Sequence, residues 1–369
     1  MNHGWEKKRW KQVLTIINGK NQNSVEASDG PYPIYGSGGI MGAATQYLCP
    51  EYCTIIGRKG SINKPIFVKS KFWNVDTAFG ISPDTNLIVP KFLYYFCVNY
   101  NFLRHNKATT LPSLVKSDLL EILMPVPSQA VQRQIVLELD KINEMLEVKR
   151  GQLKDLDMLS QSLFYEMFGE PFINSKGWII TSFGDLALSI NYGTSLPATE
   201  CGKYPYIRMN NLTDNGYLDL SSLKYIDIPD SEIDKCIVKK GDILFNRTNS
   251  REKVGKTALF DRTEEMVIAG YIIRVRAKEE ILNPVFAVRY MNLPELKEHL
   301  RKICRGAVNQ ANINSKEMAS IPFMVPPIEL QNEFSVRVEA IEEQKRVIES
   351  TISDLEVLLA SRMDYWFND

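Results

Sequence analysis

Histidine is scarce in this chain. Only His3, His105 and His299 occur in 369 residues, and none stands at ligand spacing from another. Cys49 and Cys53 form one C-x3-C pair, with no second pair or nearby histidine to complete a zinc site. The six cysteines show no disulfide framework, which fits a reducing compartment and predicts a cytoplasmic protein. No stretch approaches the roughly 18 uninterrupted apolar residues of a membrane helix. The opening MNHGWEKKRW lacks the apolar core of a secretory signal, so none is expected. Net charge is missing too, with 44 Lys+Arg against 44 Asp+Glu.

Complete cofactor loops are also missing. Gly36-Ser37-Gly38-Gly39-Ile40-Met41-Gly42 is glycine-rich, but Met41 fills the third-glycine position of a dinucleotide loop and no acidic residue follows at the required distance. Val254-Gly255-Lys256-Thr257 ends like a phosphate-binding loop, yet Ser250 replaces its first glycine. Asn283-Pro284-Val285-Phe286 resembles the NPPF tetrapeptide of amino-methyltransferases. The matching Val89-Pro90-Lys91-Phe92 has no asparagine, so the shared element is a proline opening a helix. No carboxylate cluster of nuclease type stands out. These absences predict a chain with no catalytic residues, no metal and no cofactor of its own.

What the chain does contain is an internal repeat. Residues 119–139, LLEILMPVPSQAVQRQIVLEL, recur 199 positions later as MASIPFMVPPIELQNEFSVRV at 318–338. Ile122 aligns with Ile321, Val126 with Val325, Pro127 with Pro326, and Gln132 with Gln331. A period this long duplicates a whole module, unlike the short periods of solenoids. It implies pseudo-twofold symmetry and a partner with two similar halves.

The zero net charge hides segregation. Residues 1–116 hold 14 Lys+Arg against 6 Asp+Glu, and residues 117–170 hold 5 against 10. Residues 171–316 hold 21 against 17, and residues 317–369 hold 4 against 11. Two basic bodies therefore alternate with two acidic segments, and a basic surface can face a phosphate backbone.

The acidic segments read as helices. Ile135, Leu139, Ile142, Leu146, Lys149, Leu153, Leu156, Ser160, Leu163 and Met167 keep a 4,3 spacing. Phe334, Val338, Ile341, Lys345, Ile348, Ile352, Leu355, Leu359, Arg362 and Trp366 repeat it. Such a sustained heptad seam predicts two helices, each roughly 60 Å long, burying their seams against each other antiparallel. Lys149, Lys345 and Arg362 interrupt the seams, where they would snorkel or set register. A proline-rich stretch leads into each helix.

The bodies match less tightly. Gly4-Trp5 parallels Gly177-Trp178, Tyr32-Pro33-Ile34-Tyr35 parallels Tyr204-Pro205-Tyr206-Ile207, and Ile55-Ile56-Gly57-Arg58 parallels Leu244-Phe245-Asn246-Arg247. Thr77-Ala78-Phe79-Gly80 is set against Ile268-Ala269-Gly270-Tyr271, and Pro90 against Pro284. β-Branched and aromatic runs punctuated by Gly, Pro and Asn predict short strands. The expected fold is α+β: two similar globular domains with curved sheets, joined by two long antiparallel coiled-coil helices. The segments are 1–127 (first globular domain), 128–170 (first helix), 171–327 (second globular domain) and 328–369 (second helix).

Each body carries polar turns suited to DNA. Arg grips guanine and Asn grips adenine bidentately, whereas Lys and Ser more often hold phosphates. In the first body the candidates are Tyr35, Gly36, Ser37, Gly38, Arg58, Lys59, Ser61, Asn63, Lys64, Thr109 and Thr110. In the second they are Arg208, Asn210, Asn211, Arg247, Asn249, Ser250, Arg251, Lys253, Lys256, Asn309 and Gln310.

YPIYGSGG at 32–39, IIGRKGS at 55–61, KKGDILFNRTNS at 239–250, IPFMVPPIELQ at 321–331 and the duplicated helix together resemble the specificity (S) subunits of Type I restriction-modification systems, over nearly the whole chain. The resemblance implies a non-enzymatic subunit whose two domains each read half of a bipartite DNA target. It also implies two modification (methyltransferase) subunits as partners, with restriction subunits as further ones. S-adenosylmethionine, ATP and Mg are then expected on those partners. Alternatives are the specificity chain of a fused nuclease-methyltransferase system, a stand-alone adenine methyltransferase or nuclease, and a coiled-coil scaffold.

Overall fold

The computed structural model describes residues 4–106, 112–307 and 310–368, with the side chains at 307 and 310 left out. The chain falls into two compact units, Met1–Gln152 with Ile348–Asp369, and Leu153–Val347. Each unit is a body plus part of both long helices.

In the first unit, Lys7–Arg9 and Leu123–Pro125 form an antiparallel ribbon. A four-stranded antiparallel sheet follows the order Leu14–Asn18, Ala78–Pro83, Cys53–Gly57, Ile66–Val68. Its interior strand Cys53–Gly57 is buried throughout, which fits a sequence that is apolar except for Thr54. The edge strand Leu14–Asn18 begins by alternating, with Leu14 and Ile16 inward and Thr15 outward. A three-stranded sheet orders Gly39–Ala44, Tyr32–Gly36 and Trp73–Asn74, the last pair being parallel. Helix Pro90–Asn99 opens on its proline and packs Phe92 and Phe96 into the core.

The second unit repeats this plan. Its ribbon pairs Ile179–Ser182 with Pro322–Val325. One sheet orders Ala187–Tyr192, Ile272–Ala277, Ile243–Asn246 and Thr257–Leu259. Another orders Lys224–Ile226, Tyr204–Ile207, Met266–Ile268 and Ile237–Val238, and again contains one parallel pair. A three-stranded ribbon adds Thr248–Asn249, Gln310–Asn312 and Arg305–Ala307. Helices Pro284–Met291 and Pro294–Ile303 also open on prolines. Each body thus holds separate small sheets where the sequence predicts one curved sheet.

Backbone hydrogen bonds align the two copies. Val75 N donates to Tyr35 O at 2.9 Å, as Ala269 N does to Ile207 O at 2.9 Å. Gly19 N donates to Ala78 O, as Gly193 N does to Ile272 O, both at 3.2 Å. A Cβ on Gly19 would lie 1.7 Å from Val75 O, and one on Gly193 2.1 Å from Ile268 O, so neither crossing admits a side chain. These pairings set Thr77 opposite Tyr271, three positions from the match made on sequence. Short apolar strings with a drifting offset align equally well at several shifts.

The long helices run over Gln129–Phe168 and Ile328–Phe367. A glutamine in the first turn of each is fully buried. Gln132 Oε1 accepts from Val89 N at 2.8 Å, and its Nε2 donates to Leu87 O and Pro127 O at 2.8 and 2.9 Å. Gln331 Oε1 accepts from Asn283 N at 2.9 Å, and its Nε2 donates to Ile281 O and Pro326 O at 3.1 and 2.8 Å. One side chain satisfies three backbone groups and ties helix start, proline lead-in and the loop before the next helix together.

All twenty predicted seam positions are buried or half-buried. In the first unit Ile142, Leu146 and Leu355 cluster, the Arg362 guanidinium meets the Glu138 carboxylate, and Arg150 Nη2 donates to Glu356 Oε1 at 2.9 Å. In the second unit Lys345 Nζ donates to Asp157 Oδ1 at 2.6 Å, and Phe334 packs on Phe164 and Phe168 at 5.6 and 5.2 Å. The helix segments are antiparallel in each unit. Lys345 and Arg362 pair with the facing helix, which selects the register role over snorkelling. Phe367 packs on Phe92 at 5.2 Å in one unit, and Phe168 on Phe286 at 4.8 Å in the other.

The second unit buries further charge. Arg289 Nη2 donates to Glu342 Oε1 at 2.9 Å, and both Arg289 and Lys345 lie over the Tyr217 ring. Lys297 Nζ donates to Gly255 O at 2.6 Å. Burial pushes the Lys297 ammonium down to about 7, with Asp214 opposing and Lys256 and Arg301 reinforcing that shift.

Two expectations follow from these contacts. Gln132→Ala or Gln331→Ala leaves an N–H and two carbonyls unsatisfied and lowers stability by about 2–4 kcal/mol in urea unfolding. Between about pH 7 and the ordinary lysine value of 10.5, the unfolded chain binds a proton at Lys297 that the folded chain lacks. That contribution to stability therefore rises with pH through this window and is flat below it. The stability difference between wild type and Lys297→Met should change across the window, and a pH-independent difference would contradict the assignment.

Candidate nucleic-acid interface

Arg58 and Arg247 occupy the same place in the two bodies. Each follows an interior strand, Cys53–Gly57 or Ile243–Asn246. Arg58 N donates to Thr77 O at 2.8 Å, and its carbonyl accepts from Leu114 N at 2.9 Å. Arg247 N donates to Tyr271 O at 3.0 Å, and its carbonyl accepts from Ile313 N at 2.9 Å. Nη1 of Arg58 reaches Asp76 O at 3.5 Å, and Nη1 of Arg247 reaches Gly270 O at 3.3 Å. The guanidinium of Arg58 lies 5.7 Å from the Phe79 ring centre, and that of Arg247 lies 4.8 Å from Tyr192. Both are half-buried and held by an aromatic face and one carbonyl. A cation oriented this way retains donors for a base edge or phosphate.

Beyond Arg58 the chain turns sharply. Gly60 has φ 77°, and its N donates to Pro112 O at 3.1 Å. A Cβ on Gly57 would lie 2.4 Å from Ser61 O and 3.1 Å from Ser37 Cβ. The turns Ser37–Gly38 and Arg58–Ser61 are therefore packed together. Lys59, Ser61, Lys64 and Gly38 are exposed and Ser37 is half-buried. Tyr35 instead sets its ring edge-on to Phe72 at 5.5 Å, and Gly36 is buried. Asn63 donates to Asn101 Oδ1 and accepts from Phe102 N, both at 2.9 Å, so its amide holds a neighbouring turn.

In the second body Asn210, Arg251 and Lys253 are exposed, and Arg208, Asn249 and Ser250 are half-buried. Arg208 Nη2 donates to Ser222 O at 3.1 Å, and Arg251 Nε donates to Arg301 O at 3.3 Å. Asn249 accepts from Ser250 N at 2.8 Å, and its strand pairs with Ala311. Asn211 is only 2% exposed, its amide bridging Arg208 N and Asp219 O at 2.8 Å each. Lys256 is paired with Asp214 at 3.0 Å, its side chain 13% exposed. Tyr35, Gly36, Asn63, Asn211 and Lys256 are thus engaged in the fold itself. Polar letters in a loop do not reveal which are spent on their own backbone. Thr109, Thr110 and Asn309 lie outside the described residues, as does the side chain of Gln310.

Arg305 was not among the sequence candidates. It sits beside Gln310–Asn312 in the ribbon that carries Asn249, with its side chain 81% exposed and paired to Glu317 at 2.6 Å. The sequence signal available was an arginine directly before Gly306, whose φ is 104°.

Other chemistry is weakly provided. Burial pushes the Cys53 thiol up to about 11, and burial followed by the nearby Cys53 raises Cys49. Neutral thiols are poor zinc ligands. No group able to hold a metal ion occurs among the described residues. Asn283, the first letter of the methyltransferase-like tetrapeptide, accepts from Val285 N and Phe286 N at 2.8 and 3.2 Å and caps its helix.

The family described as Type I restriction modification DNA specificity domain matches residues 2–158 and again 175–356. Among curated relatives, a putative MjaX type I specificity subunit of Methanocaldococcus jannaschii is 28% identical over 134 residues, covering 36% of this chain and 31% of that protein. The EcoKI specificity subunit of Escherichia coli K12 is 22% identical over 254 residues, covering 64% and 54%. The match thus spans about a third to a half of these relatives' length. The Type-I restriction-modification S subunit structure from M. genitalium has the same fold, with TM-score 0.60 and 16% identity over 99% of this chain and 96% of that one. A structure concerned with assembly and conformational transition of the type I R-M system agrees equally, at TM-score 0.60 and 17% identity over 98% and 96%. The chain belongs to the Type I restriction-modification DNA specificity domain family and carries that domain twice.

Proposed function

We propose that this chain is the DNA sequence-specificity subunit of a Type I restriction-modification system, with no catalytic chemistry of its own. Each body reads one half of a bipartite duplex target. The observation that carries this reading is the matched environment of Arg58 and Arg247. One framework, repeated bond for bond, presents different exposed residues in each copy: Lys59, Ser61 and Lys64 against Asn210, Arg251 and Lys253. A shared scaffold with divergent contact groups suits two half-sites of different sequence. The paired helices set the spacer between half-sites.

The helices also support docking of two methyltransferase subunits. In the first unit Leu137, Val148, Val357 and Leu358 are exposed at 71, 55, 68 and 45%. In the second unit Val336, Val347, Met158 and Leu159 are exposed at 67, 59, 58 and 51%. These sets correspond one to one under the 199-residue shift. Eleven residues make about three helical turns, so 137, 148 and 159 share a face, as do 336, 347 and 358. Two apolar faces at equivalent positions fit two copies of one partner. S-adenosylmethionine, ATP and Mg then reside on partner subunits, restriction subunits join as further partners, and the assembly works in the cytoplasm.

Methylome sequencing of a host carrying this chain and its methyltransferase should return a split motif; an unsplit motif, or no motif dependent on this chain, would overturn the reading. Arg58→Ala should relax only one half-site and Arg247→Ala only the other, each by about 1–3 kcal/mol in duplex binding. Wild-type methylation at both half-sites would show that these turns are not readers. Leu137→Asp should reduce the assembly to one methyltransferase per chain in native mass spectrometry, and adding Val336→Asp should remove the second. Full stoichiometry in the double variant would exclude these faces.

A further inference from the structure

Ile40 and Met41 are an adjacent apolar pair outside the helices, exposed at 67 and 61%. They stand at the start of strand Gly39–Ala44, at the tip of its hairpin with Tyr32–Gly36. Neighbouring residues of a regular strand point to opposite faces. Here the register slips between Ile34 and Tyr35: Tyr35 opposes Ile40, Ile34 opposes Gly42, and Met41 is the extra residue. Such a bulge re-aims side chains, and both apolar groups stay mostly exposed, Ile40 opposite Tyr35 and Met41 across Gly36.

The tip is anchored beside the cationic turn. The Met41 sulfur lies 2.6 Å from the point where a Gly36 Cβ would sit, so the thioether crosses the strand at Gly36. The next residue, Ser37, abuts Gly57, which precedes Arg58 and Lys59. Gly38 and Gly39 have open space where a side chain would stand, which lets backbone approach a ligand closely. The first body also carries the strongest basic excess, 14 Lys+Arg against 6 Asp+Glu over residues 1–116.

We propose that Ile40 and Met41 form a wedge that enters the base stack at one step of the half-site read by the first body. This rests on the DNA-reading role proposed above. Proteins that kink DNA insert Ile, Met, Leu or Phe between base pairs while cations hold the flanking phosphates. Pyrimidine–purine steps open most easily, so the wedge favours such a step without a hydrogen bond to it. In the second body the corresponding strand begins Lys224-Tyr225 and offers no apolar pair, so only one half-site is deformed.

The test uses the assembled complex and duplexes carrying the target found by methylome sequencing. 2-Aminopurine is placed at successive positions of the first half-site. Wild type should brighten the probe at one step, and Ile40→Ser with Met41→Ser should abolish that signal and weaken binding by roughly 10-fold. Salt dependence and second-half-site recognition should stay unchanged. Ile40→Leu with Met41→Leu should restore the signal. An unchanged thermal midpoint verifies that the variants fold. Specific wild-type binding without a bright position, or an undiminished signal in the serine variant, overturns the wedge alone. Loss of a methyltransferase subunit in the serine variant would make the tip a protein contact and overturn it too. If wild type binds no specific duplex, the recognition reading fails and the wedge with it.

Discussion

A buried primary amide stands at the start of each long helix, and the arrangement of both units depends on it. The proline lead-in ends a strand, and the helix must begin within a few residues. That junction brings backbone donors and acceptors together away from water, where each unpaired group costs roughly 1–3 kcal/mol. Gln132 and Gln331 each offer one acceptor and two donor hydrogens, which is what Val89, Leu87 and Pro127, or Asn283, Ile281 and Pro326, require. A carboxylate cannot donate and a hydrocarbon can do neither. This explains why the same residue stands in both copies at a position that looks merely polar in the sequence.

From that anchor the order of each unit follows. The ribbon beside the lead-in, Lys7–Arg9 with Leu123–Pro125 or Ile179–Ser182 with Pro322–Val325, joins body to helix. The helix seam then buries its apolar residues, and the charged interruptions find partners across it. Arg362 with Glu138 and Lys345 with Asp157 oppose slippage, because a shift would leave a half-buried or buried charge alone. Aromatic residues at the far helix ends, Phe168 and Phe367, close the cores of the bodies on the rings that follow Pro284 and Pro90. Rigid bodies of this kind can carry turns that differ freely, because the framework bonds run through backbone.

The candidate interface shows how far a sequence can be read. Arg58 and Arg247 could be proposed from sequence because each follows an apolar strand at matched places in a duplicated pattern. Asn63, Asn211 and Lys256 were selected for the same polar character, yet their side chains are taken up by Phe102, Asp219 and Asp214. Arg305 escaped notice because its partner ribbon is assembled from strands about 60 residues apart. The exposed pair Ile40 and Met41 looked like part of a failed nucleotide loop, since a bulge is a property of pairing and leaves no letter of its own.

Sequence by itself determined the duplication, the long helices and their seam, the α+β class and the charge segregation. Each of these is periodic or additive along the chain, so local chemistry carries it. Tertiary structure alone decided which strands pair, that each body holds several small sheets, that Thr77 corresponds to Tyr271, and which polar side chains remain for a ligand. Those outcomes depend on the hydrogen-bonding partner each group meets in space, and a one-dimensional pattern does not specify that partner.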